Sequence, residues 1–258
     1  MPPSSSEPTN PAPAKTAPAE ARNRLLVEAI AAFVLATAVA AVLYRIRSLD
    51  AYFHVVVAGL FLYLPVLLLR RRDLADYGLT TRPLGKNLRL ALLAVVIVFP
   101  PFLAGFAIWE KLACALGPLR MLAPLPCHAG LWSHAALRLP PGLLDWHPGR
   151  NLWIAELVVV ALPEEFFFRG YLQTRLDEVW RPAFGLWGAR LGPSLVITAA
   201  LFGLCHVAVQ GNPATFAVFF PGLVFGWMRA KTGSILPGVL FHSFCNLYIE
   251  TLNQSFLG

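Results

Sequence analysis

An apolar run from Leu152 to Leu162 passes directly into Pro163-Glu164-Glu165 and, one helical turn later, Arg169. The stretch is long enough to sit in a bilayer. An ionised side chain at the centre of a membrane helix costs about 2.5–3.5 kcal/mol on insertion scales. Three such groups within six residues need partners inside the membrane or a job to do there. Two later apolar segments carry one histidine each, His206 and His242. A fold that brings these segments together is the natural way to satisfy all of them.

Composition puts the chain in a membrane. It is 57% hydrophobic and 14% charged over 258 residues, against about 45–50% and about 25% for soluble domains. The net charge of +7 comes without a basic stripe or stacking platform, which excludes a nucleic-acid partner. The expected class is all-α: a polytopic transmembrane bundle of about seven spans, eight if the region 110–150 crosses once more.

Residues 1–22 are rich in Pro, Ala, Ser and Thr and read as a disordered cytoplasmic tail. Expected spans are 25–44, 51–69, 88–109, a fourth from about 151, then 193–209, 213–227 and 235–252, most near the ~20 residues a bilayer requires. Pro100-Pro101 predicts a kink in the third span. Residues 23–150 thus form an N-terminal membrane region ending in an irregular Pro- and Gly-rich stretch at 110–150, with Trp132 and Trp146 as interface anchors. Residues 151–258 form the region that carries the chemistry, and 173–191 read as an interfacial connection. With the N-terminus inside, six of the 21 Lys and Arg fall outside (Arg45, Arg47, Lys111, Arg120, Arg138, Arg150) and the rest inside. This predicts a cytoplasmic N-terminus in a bacterial inner membrane.

On a helix Glu165 and Arg169 are i and i+4 and form an ion pair, while Glu164, about 100° round, is left for another partner. Phe202 lies one turn before His206, and His242 one turn before Asn246. If the three segments pack together, Glu164, His206, His242 and Asn246 converge on one polar pocket. A carboxylate with an imidazole activates water, and a second imidazole with a carboxamide stabilises an oxyanion. Glu164, His206 and His242 could instead hold zinc with an open water position. Spacing does not choose between these.

Plainer readings compete. Either histidine alone reads as a helix-to-helix hydrogen bonder, and Gly222 and Gly226 as a close-packing GxxxG. Phe202 packs against the site. His54 reads as a satisfied polar residue, and His128, His134 and His147 lack metal-ligand spacing. Cys205 and Cys245 behave as small hydrophobes. Cys114 and Cys127 share one loop and bridge if it faces an oxidising compartment.

Glu164-Glu165-Phe-Phe-Phe-Arg169, Phe202-Gly-Leu-Cys-His206 and His242-Ser-Phe-Cys-Asn246 together resemble the EExxxR, FxxxH and HxxxN signature of the CPBP family of intramembrane proteases. That family includes the CAAX-prenyl endopeptidases and the bacterial Abi-type proteins. The first motif is also similar to the myxosortase-type sorting proteases, which process C-terminal anchors. The resemblance implies a four-helix catalytic core opening into the bilayer and an endopeptidase that cuts a membrane-anchored or lipidated protein near its C-terminus or anchor. It implies that Glu164 and His206 activate water, that His242 and Asn246 support the oxyanion, and that Glu165, Arg169 and Phe202 support the site. Both a metal-dependent and a metal-free glutamate route are known readings of the family, so zinc stays open. Two rival functions remain: a non-proteolytic scaffold or immunity protein of the same fold, and a transporter or proton relay.

Overall fold

The structure, a computed structural model, describes residues 19–69, 73–122, 127, 136–147 and 150–257. Most of the expected tail, Arg70 to Arg72, Trp132, His128 and His134 lie outside the described residues. The first helix, α1, is Ala19–Tyr44 and so begins inside the segment read as tail. Then come a 3-10 turn at Arg47–Tyr52 and α2, Phe53–Leu68. The third helix, α3, is Leu84–Ala115 and continues through Pro100 and Pro101, neither of which has an N–H to give to the preceding turn.

The next helix, α4, is one run from residue 152 to 179. Its α-helical pieces, Leu152–Ala155, Leu162–Glu165 and Gln173–Val179, alternate with π-helical Glu156–Ala161 and Phe166–Leu172. The last three helices are α5, Pro193–Gln210, α6, Phe219–Thr232, and α7, Leu236–Leu257. Pro193 opens α5 without sacrificing a hydrogen bond. Gly211 and Gly233, at φ 70° and 74°, end α5 and α6 in the left-handed conformation that glycine adopts freely.

Residues 173–191 depart from the expected connection. The first seven continue α4, and Gln173, Arg175 and Leu176 are buried. The last eight form a two-stranded antiparallel hairpin, β1 (Phe184–Leu186) and β2 (Ala189–Leu191). Trp187 and Gly188 both have positive φ, 48° and 80°, the geometry of the two-residue turn that matches strand twist.

Among the described residues, four helical segments are long and apolar enough to cross a membrane: Ala19–Tyr44, Arg47–Leu68, Leu84–Ala115 and Pro193–Gln210. They wear their apolar faces outward, with Val34, Val55, Val96 and Val196 each at least half exposed. The remaining expected spans do not meet that measure. The sixth, α6, has 14 residues. The seventh, α7, is long enough but carries His242, Ser243, Asn246, Glu250, Thr251 and Asn253. The fourth is the most enclosed, with Phe166 to Leu172 all buried.

Side-chain pairs fix the directions. Phe99 stacks on Tyr248 and Phe106 on Phe256, so α3 and α7 run parallel. Phe33 meets Phe168 and Tyr171 donates to Glu28, so α4 runs against α1; Tyr44 packs on Phe53, so α2 starts where α1 ends, and Phe61 stacks on Phe167. Arg45 donates to the Ala208 carbonyl, which sets the ends of α1 and α5 side by side. Backbone N–H groups of Ala136 and Arg138 bond to Ser255 near the end of α7, and Leu152 N–H bonds to Gly142. Hence α3 ends and α4 begins at one end of the bundle, called here the loop end. The opposite end holds the hairpin and is tied by Arg175 to Glu28 at 3.0 Å and by Arg229 to the Asp76 carbonyl at 2.8 Å.

Candidate active site

Within the bundle the Glu165–Arg169 pair forms as the spacing predicts. Arg169 Nη1 donates to Glu165 Oε1 at 3.0 Å, with both side chains essentially excluded from solvent at 1% and 0%. Such a pair repays more of its desolvation as more of its remaining valences are met; here Arg169 Nε and Glu165 Oε2 stay without a hydrogen-bond partner among the described residues, and the others are met. Arg169 Nη2 donates to the Gly222 carbonyl at 3.2 Å, and the guanidinium lies 4.3 Å and 5.0 Å from the ring centres of Phe202 and Phe225. A Cβ on Gly222 would stand 2.9 Å from Arg169 Nη2, and one on Gly226 would stand 2.5 Å from Leu195. The GxxxG of α6 is what lets α6 approach α4 and α5 this closely.

Glu165 does a second thing that the sequence does not reveal. Its Oε1 also meets His242 Nδ1 at 3.0 Å, so the carboxylate bridges Arg169 and the imidazole. A carboxylate paired with a guanidinium accepts only, so His242 donates from Nδ1 and points Nε2 away. That Nε2 lies 3.8 Å from Glu164 Oε2. The ring is held by its stack on Phe225 at 4.9 Å and by the edge of Phe202 at 5.8 Å. His242 thus sits between the two glutamates.

Glu164, 17% exposed, faces a cavity of about 520 Å³. Its Oε2 is buried and has no hydrogen-bond partner among the described residues. His206 and Asn246 line the same cavity. His206 Nδ1 bonds to the Phe202 carbonyl one turn back at 3.0 Å, so Nδ1 carries the proton and Nε2 is left as the basic nitrogen. Phe202, read from the sequence as packing, both holds His206 through that carbonyl and touches His242 and Arg169 with its ring. No hydrogen bond or ion pair joins Glu164 to His206 among the described residues, although one cavity brings them together.

Asn246 shows a partner that sequence reasoning missed. Its Nδ2 donates to Glu156 Oε2 at 2.8 Å, and Glu156 lines the cavity too. Eight residues separate Glu156 from Glu164, an offset of about 80° on a regular α-helix, which hides the relation. The π-helical turns at Glu156–Ala161 rotate less per residue, and both acids reach one cavity. His54 of α2 and Glu250 of α7 are also on the wall, so His54 belongs to the site's surroundings and not to an isolated polar contact. His147, in the loop, is not on it.

The candidate atoms of Glu164, His206 and His242 do not gather within 4.8 Å of one another. Among the described residues the one trio that does is Glu110, Cys114 and Cys127, and its two cysteines are joined in a disulfide. Glu164, His206 and His242 as placed do not fit a three-ligand metal centre.

A family model described as type II CAAX prenyl endopeptidase Rce1-like matches residues 148–248. The matched segment contains all three motifs and is consistent with the CPBP family of intramembrane proteases. No curated protein and no solved structure matches the chain.

Proposed function

We propose that this membrane-embedded chain, whose residues 148–248 are similar to the Rce1-like CAAX endopeptidases, is an intramembrane endopeptidase of glutamate type. It hydrolyses a peptide bond near the C-terminus or membrane anchor of a protein substrate. The observation that carries this is the Glu164 carboxylate, whose buried Oε2 is 3.8 Å from His242 Nε2, on a cavity it shares with His206 and Asn246. Proximity of a general base, a basic imidazole nitrogen and an amide donor is what peptide hydrolysis requires.

The steps follow from these groups. Water in the cavity gives a proton to Glu164, with His206 Nε2 accepting from its other hydrogen, and its oxygen bonds to the scissile carbonyl carbon. The carbonyl π pair moves onto oxygen. The second N–H of Asn246, whose first is spent on Glu156, donates to that oxyanion, and so does His242 Nε2 in the imidazolium form. Collapse breaks the C–N bond, and the Glu164 proton passes to the leaving nitrogen, which gives one carboxylic acid and one amine. Glu165 and Arg169 do not touch substrate here; they hold His242.

A full bundle of seven spans, with α4, α6 and α7 crossing beside the four longer apolar segments, belongs to the same proposal. Glu164→Gln or His206→Ala abolishes cleavage and leaves membrane insertion unchanged. Full cleavage by either variant removes the assignment. Thorough chelation leaves the activity intact; loss restored by zinc and by no other treatment overturns the metal-free route. The scaffold alternative predicts that Glu164→Gln still supports the protein's role in cells.

A further inference from the structure

The cavity is not symmetric along the bundle. Most of the lining comes from the parts of the helices nearer the loop end, among them Ala40 of α1, His54 of α2, Glu156 of α4, Gln210 of α5 and Glu250 of α7, and it reaches no deeper than about mid-helix, at Phe61, Phe168 and Asn246. Pro140 and Pro141 of the loop complete its rim. At the hairpin end the Glu28–Arg175 pair ties two of these helices, α1 and α4, and Arg229 of α6 bonds to the Asp76 carbonyl between α2 and α3. Access from water is therefore from the loop end.

Two further observations say which compartment that is. Cys114, in the last turn of α3, is joined in a disulfide to Cys127 at that end, and the turn after it, Gly117–Leu122, packs on Pro213–Val218, which lends Val218 to the cavity. Disulfides persist in oxidising compartments and are rare where thiols are kept reduced. Cys205 and Cys245, within the bundle, are free. Independently, among the described residues the loop end carries six Lys and Arg, and the hairpin end carries ten: Arg22, Arg24, Arg82, Lys86, Arg89, Arg175, Arg181, Arg190, Arg229 and Lys231. Cytoplasmic ends carry the excess. Charge and cysteine chemistry assign the same sides.

We infer that the catalytic cavity opens on the oxidising, non-cytoplasmic face, so that its substrates are exported proteins held by a C-terminal membrane anchor and cut from outside. The cytosol-facing, lipid-modified C-termini that the family description brings to mind lie on the wrong side of this cavity. The substrate class rests on the hydrolase reading, whereas the sidedness does not.

Two measurements separate them. Intact cells are treated with a membrane-impermeant maleimide, wild type serving as the background. Gln210→Cys, at the cavity rim, labels in intact cells, and Arg181→Cys, at the hairpin end, labels only after lysis. Labelling of Arg181→Cys in intact cells with Gln210→Cys protected overturns the assignment of sides, and acid-trapped protein with Cys114 and Cys127 both free counts against it equally. Membrane proteomes of cells making wild type or Glu164→Gln are then compared for C-terminal peptides. Exported proteins keep their anchor segment in the variant. A gain confined to cytosol-facing lipidated C-termini overturns the substrate class, and no change in any protein overturns the hydrolase reading while leaving the sides as labelled.

Discussion

Glu156 illustrates how much a single buried acid can decide. An asparagine side chain can present either its oxygen or its nitrogen to a substrate, and only the nitrogen helps an oxyanion. By accepting from Nδ2 at 2.8 Å, Glu156 fixes which way Asn246 faces. Glu156→Ala should lower kcat by about 10²-fold, the scale of a small misplacement in a catalytic array, with KM nearly unchanged. Glu156→Gln keeps an acceptor and should recover most of the rate. Wild-type kcat in the alanine variant would show that Asn246 needs no such anchor. The Glu165–Arg169 pair makes a different demand, on stability. Arg169→Ala leaves a fully buried carboxylate with His242 alone, a loss of about 3–5 kcal/mol, visible as a lower unfolding temperature in detergent. An unchanged midpoint would mean that Glu165 is relieved some other way. The acids and histidines of the three motifs were all legible in the sequence, because charge inside an apolar run announces itself. The bridge from Glu165 to His242 was not, since it joins residues 77 apart in the chain.

At the scale of elements, legibility followed local chemistry. Pro193 and Gly211 bound α5 within a residue or two of the span expected there, whereas α6, Phe219–Thr232, is shifted toward the C-terminus from the expected 213–227. Failure came where a helix leaves regular periodicity or where too few residues signal an element. The π turns of α4 place Glu156 by a rotation that α-helical counting cannot supply. The Trp187-Gly188 hairpin is six paired residues, too few to set up a readable alternation. Hydropathy likewise marks most strongly the helices that face outward; α7, expected as a span at 235–252, is less apolar because His242, Asn246 and Glu250 serve the site. Glycines expose the packing that results. A Cβ at Gly170 would stand 2.8 Å from the Tyr77 carbonyl, which is backbone and cannot swing aside, whereas Gly59 and Gly105 have nothing within 4 Å. Gly170→Ala should therefore destabilise by about 1–3 kcal/mol, the usual cost of overpacking. Gly59→Ala and Gly105→Ala should hold or gain stability, since glycine is the poorer helix former by about 1 kcal/mol. Equal melting behaviour in all three would show that α4 and the segment before α3 are not in firm contact.

For the whole molecule the question is where the catalytic unit ends. The matched family segment, residues 148–248, contains every motif residue. Yet Ala40, His54, Val57 and Phe61, from α1 and α2, line the cavity, and Phe61 stacks on Phe167 at 4.8 Å behind the glutamates. Without those helices Phe166 to Leu172, now fully enclosed, would present a row of aromatic faces to lipid on one side, and the cavity would lose its wall. Water held by a carboxylate at membrane depth depends on that wall, because backbone and charge are tolerated there only inside protein or against a water-filled space. A fragment of residues 151–258 made alone should insert and show no cleavage, and co-production with a fragment of residues 1–150 should restore it, since the break falls in the loop outside the packed helices. Activity measured in membranes decides the matter: cleavage by the C-terminal fragment alone would mean that α1 and α2 serve substrate or stability and that the site closes without them.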